Sequence, residues 1–567
     1  MLKKDNARWK ATLLFGFSFI ILFFNFQFNA FNVVDDQWYE GFQKDSESLV
    51  IGRLVKSRND GVLSEQGRLG RYKGPPGSKE SVQTGLYYGE IEGGRYYSYN
   101  SQFGIQGVFF SALDLAFNSL NIIDTKYRID LYHGTTAGAL ALTLSFIILL
   151  FYFEIGICAS VLLLLSISLS QWMAVMARNL YWVLGLMYLP FLIVFIFHKY
   201  EEVKGAVSYR LLYFLVFIAI LIKSLSGYEY ISTIMIATVS PIVYFSVKNQ
   251  WSYLITIKRM LLTFTFGLLG FFTALLIHIW QLQLSTGSIG KAWSVILERI
   301  LVRTHATSST YAGTPYEKSL SSSIYEVFRR YINGDALELK SIFGSDFFVT
   351  VSFESLIWIY LIATILAFAG FKYTKRYYRQ LLALSVATWF SFAAPLSWFF
   401  LAKGHSYIHV HINYILWHLP FTIFGFALFF FVFILLMRNL YEHSKSAAMF
   451  LSGVIILLFS SVISYNALNL ASEVIIVDSI TAYDHSDENW ENGISKTRSG
   501  LFINNTEQNR YSIKDKEMLD FPFSGKRTIT GVKISKDYIN IYVSGNKLSP
   551  ENDGYPNSIK ITAGVEK

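Results

Sequence analysis

Val33-Val-Asp-Asp-Gln-Trp-Tyr-Glu-Gly-Phe-Gln-Lys-Asp-Ser-Glu-Ser-Leu-Val-Ile-Gly-Arg53 directly follows the first hydrophobic run of the chain, Trp9 to Phe31. Asp35, Asp36, Glu40, Asp45 and Glu47 crowd thirteen positions just past the point where that run would leave a bilayer, beside aromatic residues suited to the headgroup layer. No other water-facing end of a hydrophobic run carries such a density of acids. Lys3, Lys4, Arg8 and Lys10 precede the run, which is longer than a signal-peptide core and lacks a small-residue cleavage site. It therefore reads as a retained signal anchor with a cytoplasmic N-terminus, and that fixes the side of the membrane on which the acids emerge.

The rest of the composition agrees with a chain that lives in lipid. Of 567 residues, 53% are hydrophobic and only 16% charged, with a positive mean hydropathy, which is far too apolar for a soluble protein of this size. The net charge of +9 resides mostly in short loops between hydrophobic runs, so it reads as a topology signal rather than a nucleic-acid surface. The single cysteine, Cys158, leaves no intrachain disulfide and no thiolate metal cluster. Further runs of spanning length begin near residues 135, 156, 180, 210, 229, 260, 353, 380, 413 and 447, giving about eleven transmembrane helices with the first. Alternation from a cytoplasmic N-terminus places Lys199/Lys204/Arg210, Lys248/Lys258/Arg259, Lys372/Lys375/Arg376/Arg379 and Arg438/Lys445 inside, as the positive-inside rule requires.

The expected architecture is a polytopic α-helical membrane protein with a long first outer loop and a small C-terminal β domain. Residues 1–32 form the cytoplasmic N-terminus and first span, 33–134 an outer loop with interfacial helices, and 135–282 spans two to seven. Residues 283–352 form a long outer loop, 353–468 spans eight to eleven, and 469–567 an extracytoplasmic β-rich domain of five to seven strands. Within the first loop, Lys44 to Asn59 reads as an amphipathic helix lying along the membrane surface. The apolar stretch Val108 to Ile123, interrupted by Asp114 and Asn118, reads as an interfacial or re-entrant helix.

Every unusual polar cluster falls on the extracytoplasmic side. A carboxylate at a membrane exit is ordinarily just solvated, and Asp45 and Glu47 also suit the N-terminus of a helix. As a group, the acids after the first span are candidates for a general base, or a metal-assisted base, that reaches a substrate partly buried in lipid. Arg178, at the corner Met176-Ala-Arg-Asn-Leu-Tyr-Trp182, either snorkels to headgroups or captures a substrate phosphate. His405, His409 and His411 lie within seven residues but lack a metal-ligand pattern, so hydrogen bonding to substrate suits them better than zinc. Tyr228, Glu229 and Tyr230 read mainly as interface anchors, with Glu229 a modest site candidate. Glu298, Arg299, Arg303 and His305 read as a solvated helical face, and Asp484, Asp487 and Glu488 as a plain loop.

This order of parts resembles the GT-C superfamily of membrane glycosyltransferases. Asp45 to Ser64 is similar to that family's opening pattern of an acid, a short amphipathic helix and a Gly-containing polar turn. Tyr99-Asn-Ser-Gln-Phe-Gly-Ile-Gln-Gly107 is similar to the aromatic segment before its second outer helix, and Ala177-Arg-Asn-Leu-Tyr181 to the corner where many members enter their fourth span. The resemblance covers the first two hundred residues and is architectural thereafter; the Trp-Trp-Asp signature of the oligosaccharyltransferase branch is absent. It implies transfer of a sugar from a polyprenyl-phosphate donor to an acceptor hydroxyl of a glycan, lipid or protein, outside the cytoplasmic membrane and with inversion. The catalytic candidates it implies are Asp45, with Asp36 as the rival and Asp35 and Glu47 beside them. Arg178 and Lys403 would be donor-phosphate ligands, and His405, His409, Glu229 and Tyr228 substrate contacts. The resemblance fixes no cofactor and leaves room for a divalent metal ion.

Two rivals make different demands. An O-antigen or capsule polymerase would rely on basic residues of later outer loops, here Arg299, Arg303, Arg329 and Arg330. A transporter of polysaccharide or lipid-linked sugar would bury ionisable groups at mid-membrane, where His278 and His418 are the main candidates.

Overall fold

The computed structural model describes residues 2–34, 36–73, 79–306, 308–311, 316–338, 350–369 and 375–443, together with seven strands farther along the chain. The chain forms two compact units: Met1–Phe31, Gly41–Leu337 and Val351–His443 in the first, and Asn32–Glu40, Glu338–Thr350 and Ser444–Lys567 in the second.

Helix α1 (Leu2–Phe28) is followed by α2 (Asp36–Gly41) and α3 (Lys44–Asp60), then by β1 (Gly70–Lys73), α4 (Lys79–Tyr88), β2 (Arg95–Ser98) and α5 (Ile105–Leu120). Next come α6 (Thr125–Ser168), α7 (Gln171–Ala177), α8 (Gly185–Lys204), α9 (Tyr209–Ser226), α10 (Ile231–Lys248) and α11 (Tyr253–Thr286). Shorter elements follow: α12 (Ile289–Arg303), α13 (Tyr316–Ser321), α14 (Ile324–Ile332), β3 (Asp335–Glu338) and β4 (Thr350–Ser352). The helical part closes with α15 (Phe353–Ala369), α16 (Tyr378–Leu401), α17 (Lys403–Ile408), α18 (Val410–Asn413) and α19 (Phe421–His443).

Seven of these helices, α1, α6, α9, α10, α11, α16 and α19, are long and apolar enough to cross a bilayer. That is the signature of a helical membrane protein, because helices satisfy their own backbone groups where no water can. Helix α11 shows the solvent it is built for: Leu261, Leu269, Phe272, Leu276 and Trp280 are all exposed along one side. The apolar helix α15 is shorter, at 17 residues, and α8 carries Lys199, Glu201, Glu202 and Lys204 in its last turns.

Helix α6 is two legs rather than one rod. Gly156 inside it has φ 81° and ψ 174°, which is far from helical and open to glycine. Asn25 Nδ2 donates to Ser168 O (2.8 Å), and two residues on Gln27 Nε2 donates to Asp130 O (3.2 Å). A straight helix would hold Asp130 and Ser168 roughly 57 Å apart at 1.5 Å per residue. The chain therefore doubles back at Gly156, and the two legs stand where separate runs are expected from about residues 135 and 156. Farther on, the run expected from about 413 begins as a helix only at Phe421, because 403–418 are taken up by short helical turns. The run expected from about 447 lies outside the described residues.

Residues 41–120 form a small subdomain around α3. This helix does not lie on a surface with one wet face: Glu47 to Val55 are buried without interruption. Helix α4, α5 and β1 enclose it, and Gly52 makes this fit, since a Cβ there would stand 2.3 Å from Gly70 O. Arg53, fully buried, binds the turn after α3 through Ser64 O (2.6 Å), Val62 O (2.9 Å) and Gly61 O (3.0 Å). The Asp114 carboxylate, buried in α5, gathers Arg58 (2.6 Å), Tyr87 (2.6 Å) and Tyr132 (2.9 Å) from α3, α4 and α6. A single acid thus ties the subdomain to the first leg of α6, and α5, at 16 residues, is too short to span.

In the second unit, β5 (Ile475–Tyr483) and β8 (Met518–Pro522) flank β11 (Ser558–Val565) in one antiparallel sheet. Two further antiparallel pairs join β6 (Ile494–Thr497) to β7 (Gly500–Ile503) and β9 (Ile529–Ser535) to β10 (Tyr538–Val543). Strands β9 and β10 fall where apolar and polar residues alternate along the tail, as in Tyr538-Ile-Asn-Ile-Tyr-Val543.

Candidate functional site

At the end of the bundle that carries α3, the corner after α7 is laid over the first turn of that helix. Asn179 Oδ1 accepts from the amides of Tyr181 (3.0 Å) and Trp182 (3.3 Å), which shapes the corner, while its Nδ2 donates to Gln43 O (3.4 Å). Gln43 itself sits at φ 56°, a left-handed conformation that a residue with a Cβ adopts only when its surroundings hold it there. The first leg of α6 closes the other side, where Thr136 Oγ1 donates to Arg178 O (2.6 Å).

Glu47 is the centre of this arrangement. Its side chain is nearly buried, and Oε1 lies 3.0 Å from His133 Nε2 and accepts from Leu180 N at 2.9 Å. Burial works to raise its pKa, but His133, the Leu180 amide and Arg178 together outweigh that and hold the carboxyl below the usual glutamate range. The result is a carboxylate kept in its basic form beside a guanidinium.

Asp45, two positions earlier on α3, points elsewhere. At roughly 100° per residue, two positions separate side chains by about 200°. Its side chain is 65% exposed and is paired with Arg71 of β1 (2.7 Å). Asp35 lies outside the described residues, and Asp36 opens α2.

A second wall comes from the segment after α16. His405 and His409 have ring centroids 4.7 Å apart, and His409 stands 6.3 Å from His411. Gln43 reaches this wall, with Nε2 3.1 Å from His411 Nε2. Burial lowers all three imidazoles. His409 falls to about 4, helped by Arg303, and His411 to about 3, helped by His409. His405 is driven well below the ordinary range by burial and then by its two neighbours and Arg303. The wall is therefore neutral at physiological pH, able to donate and accept hydrogen bonds without carrying charge.

Between the walls stands Arg303, the last residue of α12. It pairs with Glu229 (3.3 Å) and donates to Tyr99 Oη (3.3 Å), while Tyr181 Oη donates to Gln102 Oε1 (2.9 Å) nearby. A solvated face does not describe Arg303: of the four charged residues read that way, it alone turns inward, whereas Glu298, Arg299 and His305 are exposed. Glu229 belongs to the cluster as its counter-ion. Tyr228 faces α11 instead, with its hydroxyl 3.1 Å from His278 Nδ1. Lys403 spends its ammonium on Leu320 O (2.6 Å) and Ser322 O (2.9 Å), fixing α13 to α17.

The structure thus brings Glu47, Arg178, Glu229, His405 and His409 to one end of the bundle and adds His133, Gln43, Arg303 and His411. Among the described residues, no three of His, Cys, Asp and Glu converge as a ligand set for a metal ion. No protein-family model, no curated protein and no solved structure matches the chain. Its chemistry rests on this geometry.

Proposed function

We propose that the protein is a GT-C-type membrane glycosyltransferase that moves a sugar from a polyprenyl-phosphate donor to an acceptor hydroxyl on the extracytoplasmic side of the cytoplasmic membrane. The observation that carries this reading is the buried Glu47 carboxylate, held ionised by His133, the Leu180 amide and Arg178 at the end of a bundle of apolar helices. In the proposed reaction the acceptor oxygen attacks the anomeric carbon from the face opposite the phosphate. Its proton passes to Glu47, the carbon–phosphate-oxygen bond breaks, and the configuration inverts. A carboxylate held below its usual pKa is a weak base, which suffices because phosphate leaves readily. Arg178 and Arg303 supply positive charge for the departing phosphate, and the neutral histidines face the acceptor. Of the acids after the first helix, Glu47 takes the role of base that the sequence gives to Asp45, with Asp36 as the rival.

The test is release of polyprenyl phosphate from radiolabelled polyprenyl-phosphate sugars by purified protein. Wild type is compared with Glu47→Gln, Asp36→Asn, Asp45→Asn and Arg178→Ala. Full turnover in Glu47→Gln and Arg178→Ala would remove the proposed site.

A polysaccharide polymerase is the second reading, and the inward position of Arg303 is the observation that favours it. Arg330 gives it no support, since its guanidinium is committed to Glu326 (3.0 Å) and Tyr407 O (3.3 Å). Chain elongation that survives Glu47→Gln but not Arg303→Ala would select the polymerase.

A further inference from the structure

Four buried polar atoms in the histidine wall have no hydrogen-bond partner: Trp182 Nε1, Trp398 Nε1, His411 Nδ1 and Asn413 Oδ1. They belong to one connected group. Trp182 stacks on Tyr230 (5.3 Å), Tyr230 meets Trp398 edge-on (5.4 Å), and Trp398 meets His405 (5.7 Å). Asn413 Nδ2 lies 3.4 Å from His405 Nδ1, and His411 joins through His409. Leaving a buried donor or acceptor unpaired costs roughly 1–3 kcal/mol, so four in one cluster mark a place that something else completes.

The hydrogen bonds around the cluster fix what each atom offers. Tyr331 Oη donates to Ser406 O (2.6 Å), so it must accept from Asn413, which turns the amide nitrogen toward Tyr331 and leaves Oδ1 as a bare acceptor. Gln43 Oε1 accepts from Ser46 Oγ (2.9 Å), so Gln43 Nε2 is the donor to His411 Nε2. A neutral His411 that accepts at Nε2 carries its proton at Nδ1, which is therefore a bare donor. The set is three donors and one acceptor, all uncharged.

An anion needs donors only and would be repelled by Asn413 Oδ1. Arg303, whose charge reaches His405 and His409, is already balanced by Glu229. Hydroxyl groups both donate and accept, so a neutral polyhydroxylated ring matches a set that mixes donors with an acceptor.

We propose that the wall formed by Trp182, Trp398, His411 and Asn413 is a binding subsite for a neutral sugar ring, the acceptor end of the substrate. This rests on the glycosyltransferase reading for the word acceptor, but not for the binding itself. The four atoms are covered in this form of the protein, so a sugar reaches them only by displacing the side chains that cover them.

Binding is measured without turnover, by ligand-observed NMR on the full chain in nanodiscs. The probes are neutral methyl hexosides and methyl N-acetylhexosaminides, with a methyl uronide and a hexose phosphate beside them. Neutral glycosides are expected to bind at least ~10-fold tighter than the two anions. Trp398→Phe keeps an aromatic ring but removes the N–H, and is expected to weaken neutral-sugar binding by roughly 2- to 10-fold, the worth of one hydrogen bond, at an unchanged melting temperature. Absence of neutral-glycoside binding at tens of millimolar, equal or tighter binding of the anions, or identical binding by Trp398→Phe would each overturn the proposal. Neutral-sugar binding sensitive to Trp398→Phe, in a protein that releases no polyprenyl phosphate, would leave the subsite standing and remove only the transfer reaction.

Discussion

The two ends of the helical bundle bury a glutamate each and treat it in opposite ways. Glu154, just before the break in α6, is saturated: Lys199 Nζ (2.5 Å), Lys248 Nζ (2.6 Å) and Tyr244 Oη (2.5 Å) all donate to it. Its own carbonyl accepts from Gln380 Nε2 (2.5 Å), and Glu202 bridges the same two lysines at 2.7 and 2.6 Å. Beside it, Glu201 takes both Arg259 nitrogens (3.0 and 2.9 Å) and the Tyr209 hydroxyl (2.7 Å). This end fastens α6, α8, α9, α10, α11 and α16 together with charges that cancel. At the other end, Glu47 meets His133 and the Leu180 amide on one oxygen, and the wall opposite is neutral with polar atoms unpaired. Saturation suits a lock, whereas open hydrogen-bonding capacity suits a ligand.

Four measurements separate a lock from a ligand site. The largest effect is expected from Glu47→Gln, which removes the proposed base: turnover should fall by roughly 10²- to 10⁴-fold while the melting temperature changes little. A mutant that loses stability and keeps turnover would make Glu47 a second lock. Glu154→Ala should do the reverse. It leaves two lysines facing a buried void, and loss of one partner of a buried pair costs about 3–5 kcal/mol. Thermal melting in detergent would show it, with turnover per folded molecule retained.

The third measurement is stability against pH. An unfolded histidine takes up its proton near 6.5, but His409 in the folded protein does so only at about 4. Stability from the neutral wall is therefore complete above about pH 6.5 and is lost as pH falls from there to about 4, by roughly 3 kcal/mol for His409 alone. The His409→Asn variant should flatten this part of the profile, and an unchanged slope would mean the wall is wet and charged. The smallest effect belongs to Asp45→Asn, since an exposed ion pair contributes about 0–1 kcal/mol. Turnover within about 3-fold of wild type is expected, and a larger loss would return the base to Asp45.

Much of the bundle was legible because hydropathy is a one-dimensional signal. The break at Gly156 was placed by the gap between two apolar runs, even though the backbone there is a single residue out of helix. The late start of α19 was not legible: Ile412, Tyr414, Ile415, Leu416 and Trp417 are as apolar as a span, and only tertiary packing shapes them into short turns. Polar residues at span ends pointed to Arg178, Glu229, His405 and His409. Choosing between Asp45 and Glu47 required knowing which side of α3 faces the bundle, and α3 is buried on nearly every side, so its pattern has no wet face to read. His133 is one histidine at the head of a long helix, with no local pattern to mark it. Arg303 was hidden in a charged helix whose other members do face outward.

The hairpin at Gly156 also bears on how the protein is made. Synthesis delivers Glu154 with α6, before Lys199 on α8 and Lys248 on α10 exist. Its three donors on α8 and α10 therefore close around it only after both helices have been made.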